Sequence, residues 1–217
     1  IIAQAHPLAS TAIEVIEGGR KVAGSATFQA GLVELQDVAS QAVVETLALR
    51  KGQRILDYCA GGGGKALALA ALADSAVDAW DSDAARMQDI AKRAERAGAD
   101  ITCLTEKPSG QYDIVLCDVP CSGSGTWRRA PQGKWLLTSE RLTQLGNVQG
   151  DILQQAARLV LPGGVLVYTT CSLLAQENMD QLAKFTEATP GWICDFSRQF
   201  LPFEGGDGFF AGPVSYT

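Results

Sequence analysis

Along the chain, short solid apolar runs alternate with longer stretches whose apolar residues recur at helical spacing. The runs within "RILDYC", "AVDAWD" (76–81), "ITCLT", "YDIVLCD" and "VLVYTTCS" predict strands, and "GWICDF" and "DGFFAGPV" close the chain as two more. Between them, "QDVASQAVVETLAL" (36–49) places Val38, Ala42, Val43 and Leu47 on one helical face. Helices are also predicted over the alanine- and leucine-rich stretch after Lys65 and over "SDAARMQDIAKRAERAGA", which stops near Gly98. A further helix runs to Pro162, with Thr138 or Ser139 as its cap, and another covers "AQENMDQLAKFTEAT". Ahead of these, residues 1–35 hold three β-like pieces, "TAIEVIEGG", "RKVAGSA" and "TFQAGLVEL". They predict a small extension of short strands and turns before a main domain over 36–217.

Strand–helix alternation with solid apolar strands, Ile114–Cys117 and Val165–Tyr168, predicts an α/β domain. Its sheet is mostly parallel, with helices on both faces. Such sheets bind ligands beyond the carboxyl ends of their strands. Asp57, Asp81, Asp118 and Cys171 all fall at such ends. They belong to one site.

Bulk properties narrow the class. A chain of 217 residues, 47% hydrophobic and 19% charged, suits one soluble globular domain with a substantial core. No apolar run approaches the ~18–20 residues of a membrane span, and no signal peptide is present, so a cytoplasmic protein without membrane contact is expected. Opening on Ile1 and not Met, the chain is expected to be part of a longer protein. Its six cysteines form no C-x-x-C pair and His6 is the only histidine, so reduced thiols are expected and no metal site. A net charge of −6 and a pI near 4.8 argue against nonspecific binding to a polyanion, but leave room for a local basic patch.

"DYCAGGGGK" (57–65) sets four glycines between a strand and a helix, where backbone can turn tightly and approach a ligand. Asp81 ends the next strand, 20 positions after Gly61, placed to accept from both hydroxyls of a ribose. A plain turn would leave Asp81 unexplained. A dinucleotide site would want G-x-G-x-x-G, and a P-loop would want an earlier glycine and Ser or Thr after the lysine, where Ala66 stands. A nucleoside cofactor without a pyrophosphate remains, and S-adenosylmethionine is the commonest on this architecture.

Two thiol loops complete the pattern. "CDVPCSGSGTWRRAP" (117–131) carries Cys121 after Asp118 and Pro120, and "YTTCSLLAQEN" (168–178) carries Cys171, 50 positions later. Free cysteine ordinarily behaves as a small buried hydrophobe. Cys59, Cys103, Cys117 and Cys194 fit that reading. Cys121 and Cys171 lie in loop mouths rich in small polar residues and do not.

Together these motifs, with "ELQDVASQ" (34–41) and "DGFFA" (207–211) flanking them, resemble the RNA cytosine-5 methyltransferases, the group that includes bacterial small-subunit ribosomal RNA enzymes. The resemblance runs from about Gly31 to Ala211. It implies a Rossmann-like S-adenosylmethionine-dependent fold with a mostly parallel seven-stranded sheet, acting as a monomer on RNA, ribosomal RNA foremost. By resemblance, Cys171 attacks carbon 6 of cytosine and Cys121 assists release of the methylated base. Asp118 bonds ring nitrogen 3 or the exocyclic amine, and Lys65 contacts the base or the cofactor carboxylate. Cofactor binding falls to Cys59, Ala60, Gly61, Gly62, Gly63, Gly64, Lys65, Asp81 and Asp118. DNA enzymes of related chemistry lack the T-C-S thiol, so "TTCS" favours RNA.

Two departures stand out. The family's A-P-G-G-K is all glycine before Lys65 here, which removes a rigid proline. Its adenine-side aspartate has no counterpart at the expected place in "ITCLTEKPSGQYD", leaving Thr105 or Glu106 to stand in. "TWRRAPQGKW" interleaves Arg128, Arg129 and Lys134 with Trp127 and Trp135, and beside a base-modifying site it reads as an RNA contact. The competing expectation is an RNA-binding ribosome-assembly factor that keeps the cofactor pocket and has little turnover.

Overall fold

The computed structural model describes residues 1–216. Strands β1 (Ile2–Ala5) and β2 (Ile13–Glu17) pair antiparallel as a separate two-stranded sheet. The short helix α1 (Ala26–Gln29) follows, then α2 (Val38–Glu45), β3 (Ile55–Asp57), α3 (Gly64–Ala73), β4 (Val77–Ala79), α4 (Ile90–Ala97), β5 (Ile101–Cys103) and β6 (Tyr112–Asp118). The second half holds α5 (Gln132–Leu136), α6 (Ser139–Ala157), β7 (Val160–Thr170), α7 (Met179–Ala188), β8 (Trp192–Cys194), β9 (Arg198–Phe200) and β10 (Phe209–Tyr216).

The main sheet runs β5-β4-β3-β6-β7-β10-β8, with β9 joining as an eighth strand beside β10. The five strands from β5 to β7 are parallel, and β10, β8 and β9 add antiparallel pairs at one side. Chain direction reverses its progress across the sheet between β3 and β6. The crevice at that switch lies beyond the ends that carry Asp57 and Asp118.

Helices cover both faces because the central strands are apolar on both. Val115 and Cys117 of β6, with Leu166 and Tyr168 of β7, face Leu153 and Ala156 of α6 and Leu182 and Phe185 of α7. The alternate positions Ile114, Leu116 and Val167 face Val44 of α2, Leu69 of α3 and Ile90 of α4. Period-2 alternation therefore sends neighbouring residues into two different cores. Leu153 and Leu182 are almost fully buried, so truncating either to alanine costs ~2–5 kcal/mol.

The expected strands "RKVAGSA" and "TFQAGLVEL" are not strands. Residues 19–24 form a 3-10 turn, and Ser25 caps α1 by accepting from the Phe28 N–H at 3.3 Å. Gly31 (φ +73°) then abuts α4 so closely that a Cβ would lie 1.8 Å from the Arg96 carbonyl oxygen, which leaves no room for strand pairing. The segment is fastened to the main sheet region by Ala9 and Ala12, which pack with Ala39, Val43 and Phe200, and by the ion pair of Glu34 with Arg96.

Two boundaries also differ from the sequence pattern. The helix expected over "SDAARMQDIAKRAERAGA" divides into a 3-10 turn, Ala84–Met87, capped by Asp83, and α4, which stops at Gly98 (φ +64°) as expected. The helix expected to reach Pro162 ends at Ala157, and β7 begins already at Val160. Tyr112 pairs with Val160 while Ile114 pairs with Val165, so the extra residues around Gly163 and Gly164 bulge out of the ladder. No helix among the described residues is long and apolar enough to cross a membrane.

Candidate active site

The glycine loop leaves β3 and enters α3. Gly61 and Gly63 hold left-handed φ of +49° and +79°, and a Cβ on Gly63 would meet Ile90 of α4 at 2.8 Å, so only glycine fits there. The Ala60 N–H donates to the Trp80 carbonyl at 3.0 Å, and Arg93 donates to the Gly62 carbonyl. The Gly61 N–H donates to Asp81 Oδ2 at 2.9 Å. Asp81, at the end of the adjoining strand, also accepts from the Asp83 N–H at 3.0 Å and pairs with Arg86 at 3.0 Å.

Asp57 sits beneath this loop. It is 1% exposed, and neither carboxylate oxygen has a hydrogen-bond partner. Burial pushes its pKa up to about 7, against the lowering pull of Lys65. A buried carboxyl without a partner beside a ligand loop is complementary to a ligand cation. The sequence marked its place at a strand end but gave it no role. Cys59, next along, is pushed well above the ordinary thiol range by burial, and so is Cys117, consistent with inert core thiols.

Lys65 closes the loop. Its Nζ lies 2.7 Å from Asp118 Oδ2 and 4.7 Å over the centre of the Phe209 ring, almost wholly buried. Asp118 ends β6, so the glycine loop and the first thiol loop meet in this ion pair.

The two thiols meet as well. Cys121 Sγ and Cys171 Sγ are 3.4 Å apart. Their hydrogen bond lowers the Cys171 pKa, and the Lys65 charge lowers it further against burial and Asp118. The same bond, with burial and the Glu177 charge, raises Cys121. The direction at Cys171 is thus downward and at Cys121 upward, and the two sulfurs share one hydrogen bond.

Side chains that the sequence left unassigned hold the two loops in place. Glu177 is fully buried and bonds Ser122 and Ser172, the residues after each cysteine. The Gly125 N–H donates to the Cys171 carbonyl at 3.0 Å, and Gly208 N–H to the Gly125 carbonyl at 2.9 Å. A Cβ on Gly125 would lie 2.0 Å from the Gly208 oxygen. The flanking motifs also touch, because the Asp207 N–H donates to Asp37 Oδ2 at 3.1 Å. One legible signal was the Cys-Ser dipeptide repeated in both loops.

The basic run lies at the surface, with its two arginines also paired to a carboxylate. Arg128 pairs with Asp207 at 3.2 Å, and Arg129 donates to the same carboxylate through Nε at 2.8 Å. Asp207 is fully buried, while over half of each arginine side chain stays exposed. Lys134 faces solvent beside Trp135, which is 80% exposed, whereas the indole N–H of Trp127 is buried. Among the described residues no group of three or more His, Cys, Asp or Glu could hold a metal.

A family model described as 16S rRNA methyltransferase RsmB/F matches residues 44–211. Ribosomal RNA small subunit methyltransferase B of Proteus mirabilis is 36% identical over 193 residues, covering 84% of this chain and 46% of that protein. Its namesake from Xylella fastidiosa is 39% identical over 204 residues, covering 84% and 48%. The chain thus spans about half the length of the curated relatives it matches. Among solved structures, PH0851 superposes with a TM-score of 0.88 at 26% identity, covering 99% of this chain and 54% of that one. NSun6 from Pyrococcus horikoshii with SFG superposes with a TM-score of 0.80 at 20% identity, covering 90% and 56%, a likeness of fold.

Proposed function

The chain belongs to the 16S rRNA methyltransferase RsmB/F family, and on that premise we propose that it methylates carbon 5 of a cytosine in RNA, with ribosomal RNA as substrate and S-adenosylmethionine as methyl donor. The observation that carries this reading is the pairing of Cys121 with Cys171 at 3.4 Å, beside the Lys65–Asp118 ion pair. Residues 36–217 form the catalytic part, and 1–35 an extension fastened to it.

Carbon 5 of cytosine is a poor nucleophile inside an aromatic ring. The Cys171 thiolate adds at carbon 6, forming a C–S bond and shifting electron density onto carbon 5. Its lowered pKa raises the thiolate fraction near neutral pH. Asp118 bonds ring nitrogen 3 or the exocyclic amine and stabilises the adduct. S-adenosylmethionine, when bound, supplies an electrophilic methyl group that carbon 5 attacks. A base then removes the carbon 5 proton. The freed pair restores the carbon 5–carbon 6 double bond and expels the Cys171 thiolate, a release that Cys121 assists. The target cytosine must leave its stack for Cys171 to reach the ring face.

The residues present fit the cofactor. Asp57 would offer a buried carboxylate without a partner to its ammonium group, and the backbone of 59–64 would contact the rest of it. Asp81 offers its carboxylate to ribose hydroxyls, in competition with Arg86.

Trapping tests the proposal. Cys121→Ala, incubated with S-adenosylmethionine and total cellular RNA, should accumulate a protein–RNA species that survives a denaturing gel. Sequencing the RNA identifies the cytosine, and Cys171→Ser should abolish the species. RNA and cofactor binding with neither adduct nor 5-methylcytosine would instead favour an assembly factor.

A further inference from the structure

Each thiol loop repeats one dipeptide, Cys121–Ser122 and Cys171–Ser172. Both serines turn to the same side chain. Glu177 Oε2 accepts from Ser122 Oγ at 2.5 Å and from Ser172 Oγ at 2.5 Å. Its Oε1 accepts from the Ser122 N–H at 2.8 Å and from Gln149 Nε2 at 3.1 Å. Gln149, on α6, also donates to the Pro120 carbonyl at 3.0 Å. Glu177 is fully buried, and no Lys or Arg is paired with it among the described residues. Burying a carboxylate on neutral donors alone is costly, so this one calls for a reason beyond packing.

A carboxylate only accepts, so both serine hydroxyls must aim their protons at it. Their lone pairs are then left to accept from Ser124 and from the backbone. Ser122 Oγ takes the Ser124 N–H at 3.3 Å, and Ser172 Oγ takes the Ser124 hydroxyl at 2.9 Å and the Leu174 N–H at 3.0 Å. One charge sets the polarity of the whole network.

The two loops depend on it unequally. The Cys171 loop has further anchors: the Ser172 carbonyl accepts from Asn178 Nδ2 at 2.9 Å and Gln199 Nε2 at 3.2 Å, and the Ser172 N–H donates to Thr170 at 3.1 Å. Around Cys121, the Ser122 N–H and the Ser122 hydroxyl both donate to Glu177, and the Pro120 carbonyl accepts from its partner Gln149.

We propose that Glu177 is a positioning residue for the release half of the reaction, holding Cys121 against Cys171 through the paired serines. The inference rests on the RNA cytosine-5 reading above. The Glu177 charge also raises the Cys121 pKa, which keeps that thiol a donor toward its neighbour.

Glu177→Gln in the full chain tests this. The amide keeps the size and one acceptor, but its other end donates, reversing the serine hydroxyls. Adduct should accumulate on a denaturing gel although Cys121 is present, with kcat down ~10–100-fold and KM for S-adenosylmethionine unchanged. The Cys121→Ala/Glu177→Gln double variant should release no more slowly than Cys121→Ala alone. Wild-type turnover by Glu177→Gln, or parallel loss of adduct formation and cofactor binding, overturns the inference. If Glu177→Gln does not fold, Ser122→Ala gives the same readout, and wild-type release from it is equally decisive. If the wild-type chain makes no 5-methylcytosine, the underlying reading fails and this inference with it.

Discussion

The Lys65 ammonium lies 2.7 Å from Asp118 Oδ2, so the residue that ends the glycine loop neutralises the residue that opens the first thiol loop. Lys65 is buried and Asp118 about a third exposed, so the lysine depends on the pair more than its partner does. Asp118→Asn should cost ~2–3 kcal/mol, near the lower limit for breaking a buried pair because Asp118 is partly solvated. Urea denaturation measures it. Methylation should be lost in the same variant, through the base contact.

The Cys171 pKa is lowered first by the Cys121 thiol and then by the Lys65 charge. Alkylation of Cys171, followed by mass spectrometry across pH, should therefore have its midpoint below the ~8.5 of a free cysteine. Cys121→Ala and Lys65→Met should each move that midpoint up. A downward movement in Cys121→Ala would mean that Cys121 is the thiolate of the pair.

Asp57 has its pKa pushed up to about 7 by burial. Between the ordinary carboxyl pKa of ~3.9 and that value, the native state keeps a proton that the unfolded chain has lost. Stability of the cofactor-free protein should therefore fall as pH rises through that window. Asp57→Asn should flatten the slope and stabilise the cofactor-free protein at pH 8 by ~2–4 kcal/mol. It should also weaken S-adenosylmethionine binding in calorimetry, because the ammonium loses its partner. An unchanged slope would remove Asp57 as the titrating group.

Arg128, Arg129 and Lys134 are all exposed, but the two arginines are also bound to the buried Asp207. Lys134→Ala should weaken RNA binding and reduce its salt slope by about 1. Arg129→Ala should instead lower thermal stability, since it strips a buried carboxylate of a partner. Salt titrations and melting curves separate the two roles. Equal loss of RNA affinity with unchanged melting in Arg129→Ala would restore Arg129 as an RNA contact.

The sequence by itself determined the alternation of strands and helices, the two-faced burial of β6 and β7, and the strand ends that carry Asp57, Asp81, Asp118 and Cys171. Those features are local: period-2 and period-3.6 patterns, glycines where φ must be positive, and motifs read along a single loop. Where local signals were weak, as in residues 19–35, a serine cap and the close approach of Gly31 to α4 prevailed over apparent strand character.

Only the tertiary structure decided the rest, because it depends on contacts between residues far apart in the chain. Nothing near Glu177 in sequence says that it binds serines from two loops, one of them 55 residues away. Nothing in "RRAP" reveals that Arg129 pairs with Asp207, 78 residues later. The motifs name both cysteines, but only the fold brings their sulfurs to 3.4 Å and sets the Lys65 charge where it lowers the Cys171 pKa. Electrostatics acts through space, and the fold sets those distances.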